Sequence, residues 1–513
     1  MKSHWLTDWL REWWIVALFV IIKLAVHFTT NTIYELHRDA FLYSDLGEHL
    51  AWGFHSAPPS IGVFANISRF LFGDTMFALR FFPALTGACS ILIIGIMVKE
   101  MGGNRMALII ASLAFLTSPA FLRSNTLFQP VTFNQFYWLL LSFLIFRLVK
   151  TDKPLYWVWI GIVSGLAFMN KYSVVFFLVA FIVSIFLSPV RKWMKTFYPY
   201  LAAGIALFIA LPNIIWQIRH DWPVILHMKE LAEYQLVHVR TDLFLIAQLM
   251  MNLPAVIIWI PGLVFLFFHK PARKFRIFGF IYVLVLIQLL ILSGKHYYTL
   301  GLYPMLFAFG GYALVTWTRT RARFIPYLVA GINVVMAAGI IPMGLPILKP
   351  PQYIEYVKKI HMENSERWED GVYHDLPQDY ADMVGWNELT NIVHSAWQEL
   401  TPDEQKRCTL FSNNYGEAGS VNFLGHKYGL PEVVCYDDSY LFWAPDSISA
   451  DFLIKMGKDD NLYNLYNDVE IFGRITNPYA RQSGTPVYIC RNPKLDINLY
   501  YQEELKERRR RYQ

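Results

Sequence analysis

Apolar stretches recur along the chain from Trp13 to about Leu348, and a helix needs roughly 20 such residues to cross a hydrocarbon layer about 30 Å thick. The stretches run over 13–29, 76–98, 105–121, 132–149, 155–170, 172–188, 197–216, 244–268, 275–293, 297–316 and 325–347, so the pattern predicts about eleven spans. Trp and Tyr gather at their ends, as rings with one wet edge do at the headgroup layer. Basic residues fall in alternate loops: Lys99 and Arg105; Arg147, Lys150 and Lys153; Arg191, Lys192 and Lys195; Lys270, Arg273, Lys274 and Arg276; Arg319, Arg321 and Arg323. The positive-inside rule then puts the N-terminus in the cytoplasm, and an odd number of spans puts the C-terminus outside.

Two segments on the outer side, 30–75 and 217–243, are long for mere connections; segments of that kind usually carry function or pack as re-entrant structure. After LPILKPPQ the composition turns polar, which divides the chain into a transmembrane module, 1–349, and a soluble segment, 350–513. Within the latter, RCTLFSNN, EVVCYDD, VEIFGRI and PVYICR read as strands and GEAGSVNFLGHKYG as a helix, predicting a small α/β domain outside the membrane. The tail KERRRRYQ reads as a solvated end, with contact to anionic headgroups as the alternative. At the other end, MKSHWLTDWLREWW reads as an interfacial helix leading into a retained first span, with a cleaved signal peptide as the alternative.

Composition sharpens this picture. Of 513 residues, 55% are hydrophobic and only 16% charged, with a mean hydropathy of +0.33. Such a chain is too apolar for one soluble core and must place much of its surface in membrane lipid. The net charge of +6 is spread over loops, which argues against nucleic acid as a partner. Three of the four cysteines, Cys408, Cys435 and Cys490, lie in the polar segment and allow at most one disulfide. There is no HExxH, no CxxC pair, no P-loop and no GxGxxG after a strand. Zinc, nucleotide and dinucleotide sites therefore have no support; no metal ligand or cofactor is expected, and a divalent ion stays an open question.

The first outer segment reads HRDAFLYSDLGEHLAWGFHSAPPSIGVFANISRFLFGDTMFALRFFPAL. It sets Asp39, Asp45, Glu48 and Asp74 with Arg38 and Arg69 among aromatics at a membrane boundary, where charge is costly and so points to a site; a simple wet loop is the bland alternative.

In order, RDAFLY, EHLAWGF, APPS and FALRFFPALTG resemble the first outer loop of the GT-C superfamily of glycosyltransferases, in particular bacterial family 39 proteins related to protein O-mannosyltransferases and aminoarabinose transferases of lipid A. The likeness continues through LFQPVTFNQFYWLLL, GLAFMNKYS, LPNIIWQIRHDWP, GKHYYTLGLYP, SNNYGEAGSV and YGLP, over nearly the whole chain. It implies a polytopic all-α membrane protein of GT-C type with a C-terminal extracytoplasmic α/β domain, in the bacterial cytoplasmic membrane. It also implies transfer of a sugar from a polyprenyl-phosphate donor to a lipid, glycan or protein acceptor, and it places the family's catalytic acid on Asp39.

Chemistry supports that placement, because attack of an acceptor hydroxyl on the anomeric carbon needs a base, and a carboxylate at a lipid boundary can be tuned for it; a structural ion pair with Arg38 is the alternative. Glu48 reads as orienting the loop, with direct substrate contact as the alternative. The leaving lipid phosphate needs cations. The resemblance implies that Lys295, beside His296, Tyr297 and Tyr298, meets it; Arg80 and Lys171 are further candidates, against the ordinary explanation of side chains that snorkel or pair. Two departures stand out. Where relatives often carry a second acid this chain has Asn134, which can bond a sugar hydroxyl but cannot act as a base or bind a divalent ion strongly. Where they often carry His or Gln before the proline pair it has Ala57, with His55 nearby but out of register. A transporter or flippase, which predicts charges deep in the spans and half-repeats, and a scaffold that has lost its chemistry are the rival readings; Lys23 and Arg80 are nearly the only charges within the spans.

Overall fold

The computed structural model describes residues 3–30, 33–362 and 367–510, with side chains from Trp13 onward. The chain forms two compact units, each assembled from separate pieces. One, the helical unit, comprises Met1–Asn31, Arg80–Pro212 and Glu233–Ile347; the other, the sheet unit, comprises Thr32–Leu79, Asn213–Ala232 and Leu348–Gln513. The polar stretch beginning near 350 thus shares its unit with most of the first long segment and part of the second.

Every apolar stretch is helical, but not every one is a full-length helix. Among the described residues seven helices are long and apolar enough to cross a membrane: Trp13–Thr30, Met76–Glu100, Pro130–Thr151, Tyr198–Arg219, Lys270–Ile291, His296–Thr318 and Ile325–Gly344. The protein is a multi-pass membrane protein. The stretch 244–268 is a pair, Thr241–Met250 and Leu253–Phe268, bent by 72°. Pro254 supplies the cause: it lacks the N–H a continuing helix needs, and its ring would clash with the carbonyl four residues back. The stretch 105–121 breaks likewise before Pro119, into Arg105–Thr117 and Pro119–Ser124. The helices Leu155–Phe168 and Val174–Leu187 have 14 residues each, about 21 Å at the helical rise and short of a full hydrocarbon crossing.

Apolar side chains fill the interior of this unit, with Trp138, Tyr303, Phe146 and Phe309 almost wholly buried, while Phe186, Phe208, Phe268 and Val335 stay exposed on its outside. A surface that is apolar outward as well as inward suits lipid. The breaks need polar partners, since water cannot supply them at that depth. Ala120 N–H donates to the Met251 carbonyl at 3.1 Å, so each broken helix caps the other. Asn333 donates to the Pro254 carbonyl at 2.8 Å and accepts from Thr117 at 3.0 Å. Lys23, wholly buried in the first helix, donates to the Phe121 carbonyl at 3.0 Å.

In the sheet unit five strands, β1 (Cys408–Ser412), β2 (Val434–Cys435), β3 (Phe452–Met456), β4 (Tyr466–Arg474) and β5 (Pro486–Pro493), lie in the order β2-β1-β3-β5-β4. β1 runs parallel to β2 and β3; β5 runs antiparallel to β3 and β4. The four segments read as strands are β1, β2, β4 and β5, and the helix between the first two is Tyr415–Gly425. The central strand β3 went unread because it is buried from Leu453 to Met456 and lacks the alternation that marks a half-exposed strand. Lys506–Arg510 of the basic tail end a helix, Ile497–Arg509, rather than trail free, with Arg509 bonded to Asp446 at 2.6 Å. All four cysteines are free.

Candidate active site

Asp39 enters the sheet unit at the first turn of the helix Arg38–Glu48. His37 caps that helix, its Nδ1 accepting the Asp39 N–H at 3.1 Å. An acid in a first turn is favoured by the exposed backbone N–H groups there. The helix packs against Tyr415–Gly425, and two glycines make the approach possible. A Cβ on Gly416 would lie 3.1 Å from the Trp386 ring and 3.2 Å from the Arg38 side chain; one on Gly419 would lie 2.8 Å from the Tyr440 hydroxyl and 3.0 Å from Phe41.

That closeness brings the Tyr415 hydroxyl to Asp39, where it donates to Oδ1 at 2.8 Å. Arg38 Nε lies 3.5 Å from the same oxygen, and His37 Nδ1 3.7 Å from Oδ2. Behind them Asp382, wholly buried, takes Arg481 at 3.0 Å, with Arg38 at 3.7 Å and His37 at 3.6 Å. The Arg38 guanidinium sits 5.2 Å from the centre of the Tyr415 ring. The Asp39 side chain keeps 22% of its surface exposed. Burial by itself would raise its pKa, but His37, Arg38, the Tyr415 hydrogen bond and Arg481 outweigh burial and hold the carboxyl below the usual range. The tuning anticipated from a lipid boundary therefore runs downward: Asp39 is a carboxylate throughout the neutral range.

The remaining candidates divide between the units. In the sheet unit Glu48, half exposed, pairs with Arg69 at 2.7 Å, and Arg69 also takes Asp74 at 2.6 Å. His55 is buried and faces Glu230 at 3.2 Å. In the helical unit Lys295 donates to Gln235 and lies 5.9 Å from the centre of the Tyr297 ring, while Lys171 lies 5.5 Å from that of Tyr298. The two tyrosine rings meet edge to face at 5.0 Å. The structure thus gathers Lys171, Lys295, Tyr297 and Tyr298 around one pair of rings. Arg80 is buried in the same unit. Asn134 is buried too, its amide donating to Ser173 at 3.3 Å.

Two features went unread in the sequence. One is Tyr415: its string, NYGEAG, matched the resemblance but carried no assignable chemistry. The other is a metal-type donor set, where His55, His227 and Glu230 hold ligand atoms within 4.8 Å of one another. Two imidazoles and a carboxylate form a set zinc accepts. His227 and Glu230 lie three apart on the helix Pro223–Tyr234 and so share a face, but His55 is 175 positions from Glu230, beyond any local spacing rule.

Comparison with known proteins places this geometry. The family described as dolichyl-phosphate-mannose-protein mannosyltransferase matches residues 56–216, a stretch that begins beyond Asp39. The lipid A galacturonosyltransferase RgtD of Rhizobium johnstonii is 22% identical over 221 residues, 42% of this chain and 46% of that protein. The undecaprenyl phosphate-alpha-4-amino-4-deoxy-L-arabinose arabinosyl transferase 2 of Proteus mirabilis is 30% identical over 164 residues, 29% of this chain and 28% of that protein. The chain thus aligns with less than half the length of either curated relative. Whole-chain likeness comes from structure. ArnT of Cupriavidus metallidurans, solved bound to undecaprenyl phosphate, superposes with a TM-score of 0.61 at 15% identity, over 92% of this chain and 97% of that one. The fold is of the GT-C type. Its apo form gives a TM-score of 0.59 over the same extents.

Proposed function

We propose that this protein is a glycosyltransferase. It moves a sugar from a polyprenyl-phosphate carrier to an acceptor hydroxyl at the outer face of the bacterial cytoplasmic membrane, with Asp39 as the base. The observation that carries this reading is the Asp39 carboxylate itself: ionised, partly open, and held by the Tyr415 hydroxyl with Arg38 beside it. The GT-C fold and the relatives named for sugar transfer support it.

In the step, the acceptor oxygen attacks the anomeric carbon while the bond from that carbon to the phosphate oxygen breaks. The hydroxyl proton passes to Asp39, and the carrier leaves as a lipid phosphate. Attack opposite the phosphate inverts the anomeric centre, and no covalent sugar-enzyme intermediate forms. A carboxylate with a depressed pKa is a weak base, so the proton moves late, once the attacking oxygen has become acidic. Lys295 and Lys171, with the Tyr297 and Tyr298 rings, and Arg80 are the cations and aromatics of the helical unit assigned to the phosphate and the sugar. Glu48 holds the loop through Arg69. Asn134 is assigned a sugar hydroxyl, and membrane lipid supplies the rest of the surroundings. The acceptor is a lipid, glycan or protein hydroxyl.

The test is turnover of purified protein in lipid vesicles with a polyprenyl-phosphate sugar and an envelope lipid extract, following release of the carrier phosphate by mass spectrometry. Asp39→Asn is expected to cut release by about 100-fold or more with an unchanged unfolding temperature. Wild-type rates in that variant, or movement of donor across the bilayer without phosphate release, would overturn the proposal, the second result in favour of a flippase.

A further inference from the structure

We propose that Tyr415, at the start of the helix that follows β1, is the positioning residue for Asp39, so that the polar C-terminal segment supplies part of the site. The inference rests on Asp39 being the base.

The backbone around Tyr415 is held from three directions. Asn414 caps the helix, its Oδ1 accepting the Gly416 and Glu417 N–H groups at 2.8 and 3.3 Å. Asp437, just beyond β2, accepts the Tyr415 N–H at 3.0 Å. Ser412, the last residue of β1, accepts the Asn414 N–H at 3.0 Å and donates to the buried Glu417 carboxylate at 2.7 Å. The turn therefore sits at the carboxyl edge of the parallel strands β2, β1 and β3, the edge at which open α/β sheets place functional loops. Gly416 and Gly419 admit the Asp39 helix against this one, and the phenol reaches Oδ1 with its ring under the Arg38 guanidinium.

A hydroxyl in that position fixes the carboxylate rotamer through Oδ1, and the acceptor proton is assigned to Oδ2. A neutral donor does this without adding charge; Arg38 and Arg481 already supply positive charge, and Asp382, with Glu369 beyond it, balances them. Loss of the phenol O–H leaves the carboxylate free to turn toward Arg38 and removes one of the interactions that favour its ionised form.

The experiment is steady-state transfer by full-length protein in vesicles as a function of pH, for wild type, Tyr415→Phe and Asp39→Asn. Phenylalanine keeps the ring against Arg38. It is expected to lower kcat roughly tenfold to a hundredfold with KM little changed, and to move the acid limb of the kcat/KM profile to higher pH. Incorporation of 3-fluorotyrosine at position 415, a more acidic and stronger donor, should move the same limb to lower pH; this second probe keeps the test decisive if the phenylalanine variant folds poorly. Tyr415→Phe and the fluorinated protein with kcat and acid limb within twofold of wild type, beside an inactive Asp39→Asn, overturn the role of Tyr415 alone. An active Asp39→Asn overturns the base assignment instead.

Discussion

Asp45 lies six residues beyond Asp39 on the same helix, and there burial prevails over the groups that oppose it. Only 3% of it is exposed, and one oxygen, Oδ2, accepts both the Tyr440 hydroxyl at 2.5 Å and the Asn422 amide at 2.7 Å. Burial pushes its pKa up to about 7 against those two hydrogen bonds, with Glu48 and Glu432 adding to the rise. The unfolded chain releases this proton near pH 3.9. Between about pH 4 and 7 the folded state therefore binds the extra proton, so stability falls as pH rises through that window and levels off above it. Asp45→Asn keeps one oxygen for both donors and carries no charge. It is expected to match wild type near pH 4 and to exceed it above pH 7 by on the order of 1–3 kcal/mol, read from unfolding midpoints across pH. A variant less stable than wild type at every pH would show that Asp45 is held as an anion. Of this neighbourhood the sequence displayed the acids but not their roles. Asp39 and Asp45 look alike in RDAFLYSDLGEH; Tyr415 and Arg481, which help hold Asp39 low, and Tyr440 and Asn422, which close over Asp45, come from strings more than 370 positions downstream.

At the scale of elements, hydrophobic length was a good guide to helices and a poor one to their continuity. Hydropathy averages over a window, so it does not register a proline that stops the ladder or the side chain that repairs the break. The repair in the helical unit is Asn333, wholly buried and bonded to both broken spans through the Pro254 carbonyl and the Thr117 hydroxyl. Asn333→Leu fills the same space but leaves the Pro254 carbonyl without its donor in a region that water does not reach. The expected cost is about 1–3 kcal/mol, against a few tenths for replacement of an outward-facing residue of the same helix such as Val335 by Leu. Thermal unfolding of the purified protein in detergent measures the difference, and equal midpoints for the two variants would remove Asn333 from the account of the bend. The missed strand β3 follows the same logic as the missed break: both lie in the interior, where the local sequence shows no alternation and three-dimensional partners decide the structure.

For the whole molecule, the composition change near 350 falls beside Ile347, where the last piece of the helical unit ends. It does not reveal that 32–79 and 213–232 belong with the polar segment, because their short helices, such as Ser60–Phe72, carry enough apolar residues to look like parts of the bundle. What joins these pieces is side-chain chemistry between distant strings, and a linear boundary cannot represent it. The charge pattern of the loops makes a separate prediction about sidedness. Lys192 and Asp403 lie on opposite sides of the membrane if the basic loops are cytoplasmic and the sheet unit outside. Both are well exposed, at 67% and 87% of their side-chain surface, and each is in a surface ion pair of little energetic weight. The native cysteines are buried or half-buried and so react slowly. An impermeant maleimide applied to intact cells is therefore expected to label Asp403→Cys and to reach Lys192→Cys only after the membrane is opened. The reverse pattern would put Asp39 on the cytoplasmic side, where an acceptor of the envelope surface could not meet it, and the sidedness of the proposed transfer would have to be abandoned even if the chemistry survived.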